Sequence, residues 1–142
     1  MRLWAVLLVT VMFAVSVARA EESDDETRAR KRALDVAGAF ANEGFKVRDG
    51  HWSGSIGRDR TLIAVNLYAA NQYWFSAGAT DQAKKVGIEL FDETGRQLPT
   101  EHYEDVSRVA AGFSPTMSGQ YFVALSVPDG GQATGCLIYS YK

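Results

Sequence analysis

Two histidines, one cysteine and two serines flanking a glycine are the groups in this 142-residue chain best placed by type to act as nucleophile or base. Nucleophilic catalysis needs such a pair within hydrogen-bond reach, with a third group to orient the base. His51 and His102 do not form a His-Glu-x-x-His pattern, which would put two metal ligands on one helix face. Ser53 and Ser55 lie in the Gly-rich run from Gly50 to Gly57, and no Gly-x-Ser-x-Gly elbow precedes a helix. Cys136 sits inside the apolar run Cys-Leu-Ile-Tyr with no local group to activate its thiol. The chain therefore reads as non-enzymatic, with an orphan hydrolase ranked last.

Metal chemistry is the next possibility. Asp92 and Glu93 share one turn, Asp81 ends another, and Glu101, Glu104 and Asp105 share a loop. Calcium requires several oxygens converging on one point, and no Asp-x-Asp-x-Asp-Gly loop supplies them in sequence. Asp81, Asp92, Glu93 and Asp105 are the weak calcium candidates, set against the plainer reading that acidic turn residues face water. No other cofactor is implied. The aromatics carry more information. Trp52, Tyr68, Trp74, Phe91 and Phe122 are the candidate ligand- or partner-binding residues, since rings left on a sheet surface serve as contact platforms.

The elements that position these residues begin with an address. Arg2, the apolar run Leu3 to Val15, and Ala18-Arg19-Ala20 have the three parts of a secretory signal with its cleavage site. The run is too short for a convincing membrane span, so residues 1–20 are expected to be removed, leaving a periplasmic or secreted protein with no integral span; an uncleaved anchor is the alternative. Without Arg2 and Arg19 the balance is 13 basic against 17 acidic residues, a net charge of −4, with no basic stripe. Nucleic acid is thereby excluded as a main partner. A single cysteine forbids an internal disulfide, and Cys136 is either buried in a strand, the favoured reading, or open to an intermolecular bond.

After the signal, residues 21–44 read as an amphipathic helix, over about Asp24 to Asn42. Ser23 and Glu26 form a capping box, Ala33, Ala37, Phe40 and Ala41 share a narrow face, and Gly44 with Phe45 marks the end. Residues 45–142 then alternate with period two between turn signals. Ile63, Val65 and Leu67, then Tyr73 and Phe75, then Val86, Ile88 and Leu90 each define a buried side. Asp92-Glu93-Thr94-Gly95 turns the chain. The strand with Tyr121, Val123, Leu125 and Val127 is the central one, and Gly119-x-Tyr121 at its mouth predicts a tyrosine corner. The expected fold is mainly β: an antiparallel, jelly-roll-like β-sandwich of about seven to eight strands after one N-terminal α-helix.

Three segments carry a family resemblance. Tyr73-Trp-Phe-Ser-Ala-Gly, then Val86-Gly-Ile-Glu-Leu-Phe-Asp-Glu-Thr-Gly95, then Ala111-Gly-Phe-Ser-Pro115 with Ser118-Gly-Gln-Tyr121 resemble the bacterial pre-peptidase C-terminal domain. The likeness spans about Thr61 to Tyr141. It implies a β-sandwich of the kind appended to exported enzymes, with binding or processing roles and, in some members, calcium near the strand ends. With no catalytic domain expected beside it, an accessory role toward a peptidase is not carried over.

Leu62, Ala64, Tyr68, Trp74, Phe91, Phe122, Ala124 and Ile138 fall on the faces opposite the core, too apolar a set to be left entirely to water. The helix is expected to dock over some of Trp74, Phe91, Phe122 and Ile138. The reading is an exported binding or accessory module with a protein or glycan partner in the envelope; the alternative is a carbohydrate-binding module using Trp52 or Trp74.

Overall fold

The computed structural model describes residues 15–48 and 50–142, with side chains from Asp24 onward. Within the expected signal, residues 1–14 lie outside the described residues, and 15–20 are the first part of helix α1 (Val15–Ala41). Ser23 thus stands inside the helix rather than at its start, because the run of Ala, Arg and Glu before it propagates helix readily. The other end is as the sequence predicts. Gly44 takes a φ of 94°, which lets the Phe45 amide donate to the Phe40 carbonyl at 3.2 Å and the Gly44 amide to Ala41 at 3.1 Å. This pair of bonds is a Schellman closure.

Ten strands follow: β1 (Lys46–Val47), β2 (Trp52–Ile56), β3 (Thr61–Leu67), β4 (Tyr73–Ala79), β5 (Gly87–Asp92), β6 (Gln97–Leu98), β7 (Glu101–Asp105), β8 (Arg108–Phe113), β9 (Gly119–Ser126) and β10 (Ala133–Tyr141). The count exceeds the expected seven to eight; β1 and β6 are two-residue pairings. The segment from Glu101 to Asp105, read in sequence as a loop, is strand β7. Its five residues are all exposed, so it has no apolar alternation to betray it, and backbone pairing with β8 holds it in place.

All pairings are antiparallel and form two sheets. One runs β1-β10-β4-β8-β7, with β2 beside β1 on the same edge of β10; the other runs β3-β9-β5-β6. The two sheets close on a core that includes Ile63, Leu67, Tyr73, Phe75, Leu90, Val109, Tyr121, Val123, Leu125 and Leu137. Tyr121 is 8% exposed and its hydroxyl donates to the Met117 carbonyl at 2.7 Å, the predicted tyrosine corner. Tyr73 makes a second lock: its hydroxyl oxygen accepts from the Tyr68 amide at 2.8 Å across the β3–β4 turn.

Helix α1 covers the outer face of the six-stranded sheet. Ala29, Ala33 and Ala37 form a buried cluster with Cys136 and Ile138 of β10. Small residues on both sides allow this approach. A Cβ on Gly78 of β4 would sit 2.6 Å from the Ala29 carbonyl oxygen and the Ala33 amide nitrogen. Phe40 stacks on Trp74 with centroids 4.1 Å apart and planes 12° from parallel. The expected docking is thus met by Trp74 and Ile138. Phe91 and Phe122 belong to the other sheet, because period-two alternation assigns a residue to an outer side without saying which of two sheets owns it. Cys136 is fully buried in this interface, and burial pushes its thiol up from the ordinary value.

Two mutations test the assignment. Tyr121→Ala should cost about 3–5 kcal/mol by denaturant melts, in the range for deleting a buried aromatic, and Tyr121→Phe about 1 kcal/mol for the lost hydrogen bond. Gly78→Ala should cost about 1–3 kcal/mol as the helix backbone is forced outward; melts within error of wild type would contradict the close docking.

Candidate functional site

The six-stranded sheet has one face on the core and the other under α1. The outer face of the β3-β9-β5-β6 sheet has no covering element among the described residues. Its side chains are those that alternate out of the core: Leu62 and Ala64 from β3, Phe122 and Ala124 from β9, Glu89 and Phe91 from β5. Register places Phe122 between Ala64 and Phe91, and Ala124 between Leu62 and Glu89. Leu62 is 59% exposed, Phe91 and Phe122 are half-buried, and the small Ala124 is closed over. The result is an apolar strip three strands wide.

A charged pair rims the strip. Arg60 donates from Nε to Glu89 Oε1 at 2.7 Å and from Nη2 to Oε2 at 3.2 Å, and its guanidinium carbon lies 5.7 Å from the Phe91 ring centre. This two-pronged geometry neutralises both charges and holds a planar group beside the aromatic. Donating these hydrogen bonds to Glu89, and then the Glu89 charge, raise the Arg60 pKa above its ordinary value. Neither residue stands out in sequence. The available signal was parity: Arg60 precedes Leu62 by two, and Glu89 precedes Phe91 by two.

The remaining candidates are dispersed. Tyr68, just past β3, is 54% exposed. Trp52 is half-buried on the core side of β2, with its ring lying against Gly54. Trp74 lies on the opposite sheet, one ring face stacked on Phe40 and the ring also close to Gly112. It borders a cleft of about 540 Å³ shared with Gln72, Glu101 and Ser114. The five aromatics therefore do not form one platform.

Nor do the carboxylates converge. Asp81 pairs with Arg32, which holds its carboxyl below the usual range. Asp92 accepts from the Thr94 hydroxyl at 2.6 Å, the Thr94 amide at 2.9 Å and the Arg96 amide at 3.0 Å, and the Thr94 hydroxyl is the main reason its carboxyl is also lowered. Asp105 accepts from the Val106 amide at 2.7 Å and from Arg108 at 3.3 Å. Glu93 is exposed beside the same turn as Asp92. Among the described residues no group of three or more His, Cys, Asp or Glu side chains is gathered to hold a metal. His102 bonds Glu104 at 3.4 Å on edge strand β7, and His51 lies at the other edge of that sheet, before β2. Among the described residues neither histidine bonds a hydroxyl or thiol, and no helix is long and apolar enough to cross a membrane.

No family model and no curated protein matches the sequence. Among solved structures, the chain is similar to the crystal structure of Aeromonas hydrophila PliG, a periplasmic lysozyme inhibitor of g-type lysozyme. That similarity has a TM-score of 0.45 at 15% identity and covers 70% of this chain and 90% of that one.

The Asp92 contacts generate a pH prediction. Its folded pKa is lowered, so its contribution is fully present above the ordinary carboxylate value and is lost as pH falls through the folded one. The Tm deficit of Asp92→Ala relative to wild type should be constant near neutrality and should shrink as pH falls below the ordinary carboxylate range of about 4 and through the lowered folded value. A deficit that grows on acidification would contradict the capping role.

Proposed function

We propose that this chain is an exported, non-catalytic binding module that engages a protein partner of the envelope or secreted space through the outer face of its four-stranded sheet. The observation that carries the reading is the contrast between the two outer faces. One is packed under α1, whereas the strip of Leu62, Ala64, Phe91 and Phe122 has no cover among the described residues. An apolar centre with a polar rim is the anatomy of a protein–protein contact. A glycan platform needs an open ring plane, and here Arg60 lies by Phe91 while Phe40 occupies Trp74. Export rests on the pattern in residues 1–20, with residues 21–44 as the docked helix and 45–142 as the sandwich. The resemblance to pre-peptidase C-terminal domains belongs to the same proposal, and no accessory role toward a peptidase is drawn from it.

A photo-crosslinking residue at Leu62 tests the face in the cells that make the protein. It should give one discrete adduct that is lost with Ala64→Glu, while the same probe at Met117, 73% exposed and off the strip, should give none. The same diffuse labelling from both positions would overturn the assignment.

A further inference from the structure

The edges of the two sheets are not alike. A strand edge presents unpaired amides and carbonyls, and soluble proteins blunt it with shortness, charge, proline or glycine. Strand β7 carries Glu101, Glu104 and Asp105 among its five residues. Strand β6 is two residues long between Arg96 and Pro99, and β1 is two residues long with Lys46. Strand β2 has Gly54 at its centre and runs into Arg58 and Asp59. Strand β3 has none of these devices within its length, and its charges stand only in the lead-in Arg58-Asp59-Arg60. Its seven residues, Thr-Leu-Ile-Ala-Val-Asn-Leu, hold no charge, proline or glycine, and among the described residues it pairs on one side only, with β9.

We propose that this free edge pairs with the β3 edge of a second copy of the chain, antiparallel about a two-fold axis at Ala64. The segment is self-complementary in that register. Leu62 faces Asn66 of the second copy, Ile63 faces Val65, and Ala64 faces itself, so inward residues meet inward and outward meet outward. Because the strand is uncharged, no like charges are opposed. At each end the Arg60 backbone comes opposite Tyr68, which is 54% exposed, while the Arg60 guanidinium stays paired with Glu89. The product is an eight-stranded sheet with two copies of the apolar strip on one continuous face. An isologous contact of this kind closes on itself and leaves no free β3 edge for further growth. The pairing runs through the strand edge and the partner reading through the face, with Leu62 and Ala64 common to both, so a Leu62 adduct between two copies reports the pairing and an adduct with another protein reports the face.

Sedimentation of the protein purified from the cells that make it, over a concentration series, is the test. Wild type should reach a dimer. Leu62→Lys with Asn66→Lys places like charges opposite each other twice and should raise the dimer dissociation constant about tenfold or more, with circular dichroism held because both side chains are exposed and a melting temperature no lower than that of dilute, monomeric wild type. Leu62→Lys with Asn66→Glu should restore the dimer. As a covalent readout, Ala64→Cys should oxidise to a disulfide-linked dimer while Met117→Cys does not; Cys136 is buried and does not compete. A wild type that stays monomeric, a dimer that survives the double lysine variant, or equal cross-linking from both cysteines would overturn the proposal. Adducts formed by the Leu62 photo-probe with another protein report separately on the face.

Discussion

The rest of the structure depends on how closely one helix can approach one sheet. Ala29, Ala33 and Ala37 meet Gly78, Cys136 and Ile138 without room for a methyl group at Gly78. Ser76 and Ser140 lie in the same layer, fully buried, with no hydrogen-bond partner for their hydroxyls among the described residues. Unpaired buried hydroxyls are a cost, commonly about 1–3 kcal/mol each. Their retention is understandable if size is what the site requires, since a larger apolar residue would lift the helix away. At the helix's C-terminal end this economy reverses, and Phe40 stacks on Trp74 as a large aromatic contact of the seam.

That seam also explains where the chain keeps its open surface. A β-sandwich has two outer faces, and a single helix can cover only one. The covered face is the one built of small side chains, which admits a helix backbone. The other carries Leu62, Phe91 and Phe122 and would hold a helix further off. Helix docking thus decides by exclusion which face is left uncovered among the described residues, and the Arg60–Glu89 pair lies at its rim.

Two tyrosine hydroxyls fix the frame in which these faces are held. Tyr121 ties the start of β9 to the Met117 carbonyl, and Tyr73 ties the start of β4 to the amide of Tyr68. Each sits where a connection enters a strand of a different sheet, so together they set the relation of the sheets at one end of the sandwich. The Asp92 turn does a similar job for β5 and β6 through three hydrogen bonds to one carboxylate oxygen. Burial, followed by the nearby charges of Asp92 and Glu93, raises the Tyr121 pKa, which keeps its hydroxyl protonated as a donor.

Local chemistry determined a good deal by itself. The alternation of Ile63, Val65 and Leu67, the Gly44–Phe45 helix stop, the Tyr121 corner, the turn at Asp92 and the burial of Cys136 were all legible, because each is settled by neighbours in the chain. Strand β7 was not, since its pairing comes from β8 backbone rather than from any apolar pattern of its own. The helix start was misplaced because a capping sequence does not end a helix when helix-forming residues precede it. Tertiary structure alone decided which outward residues share a face. Period two separates core from surface, but Trp74 and Ile138 went under the helix while Phe91 and Phe122 stayed on the open sheet through strand order, which no single strand encodes. The same is true of Arg60 and Glu89, whose pairing exists only because β9 brings β3 and β5 to either side of itself.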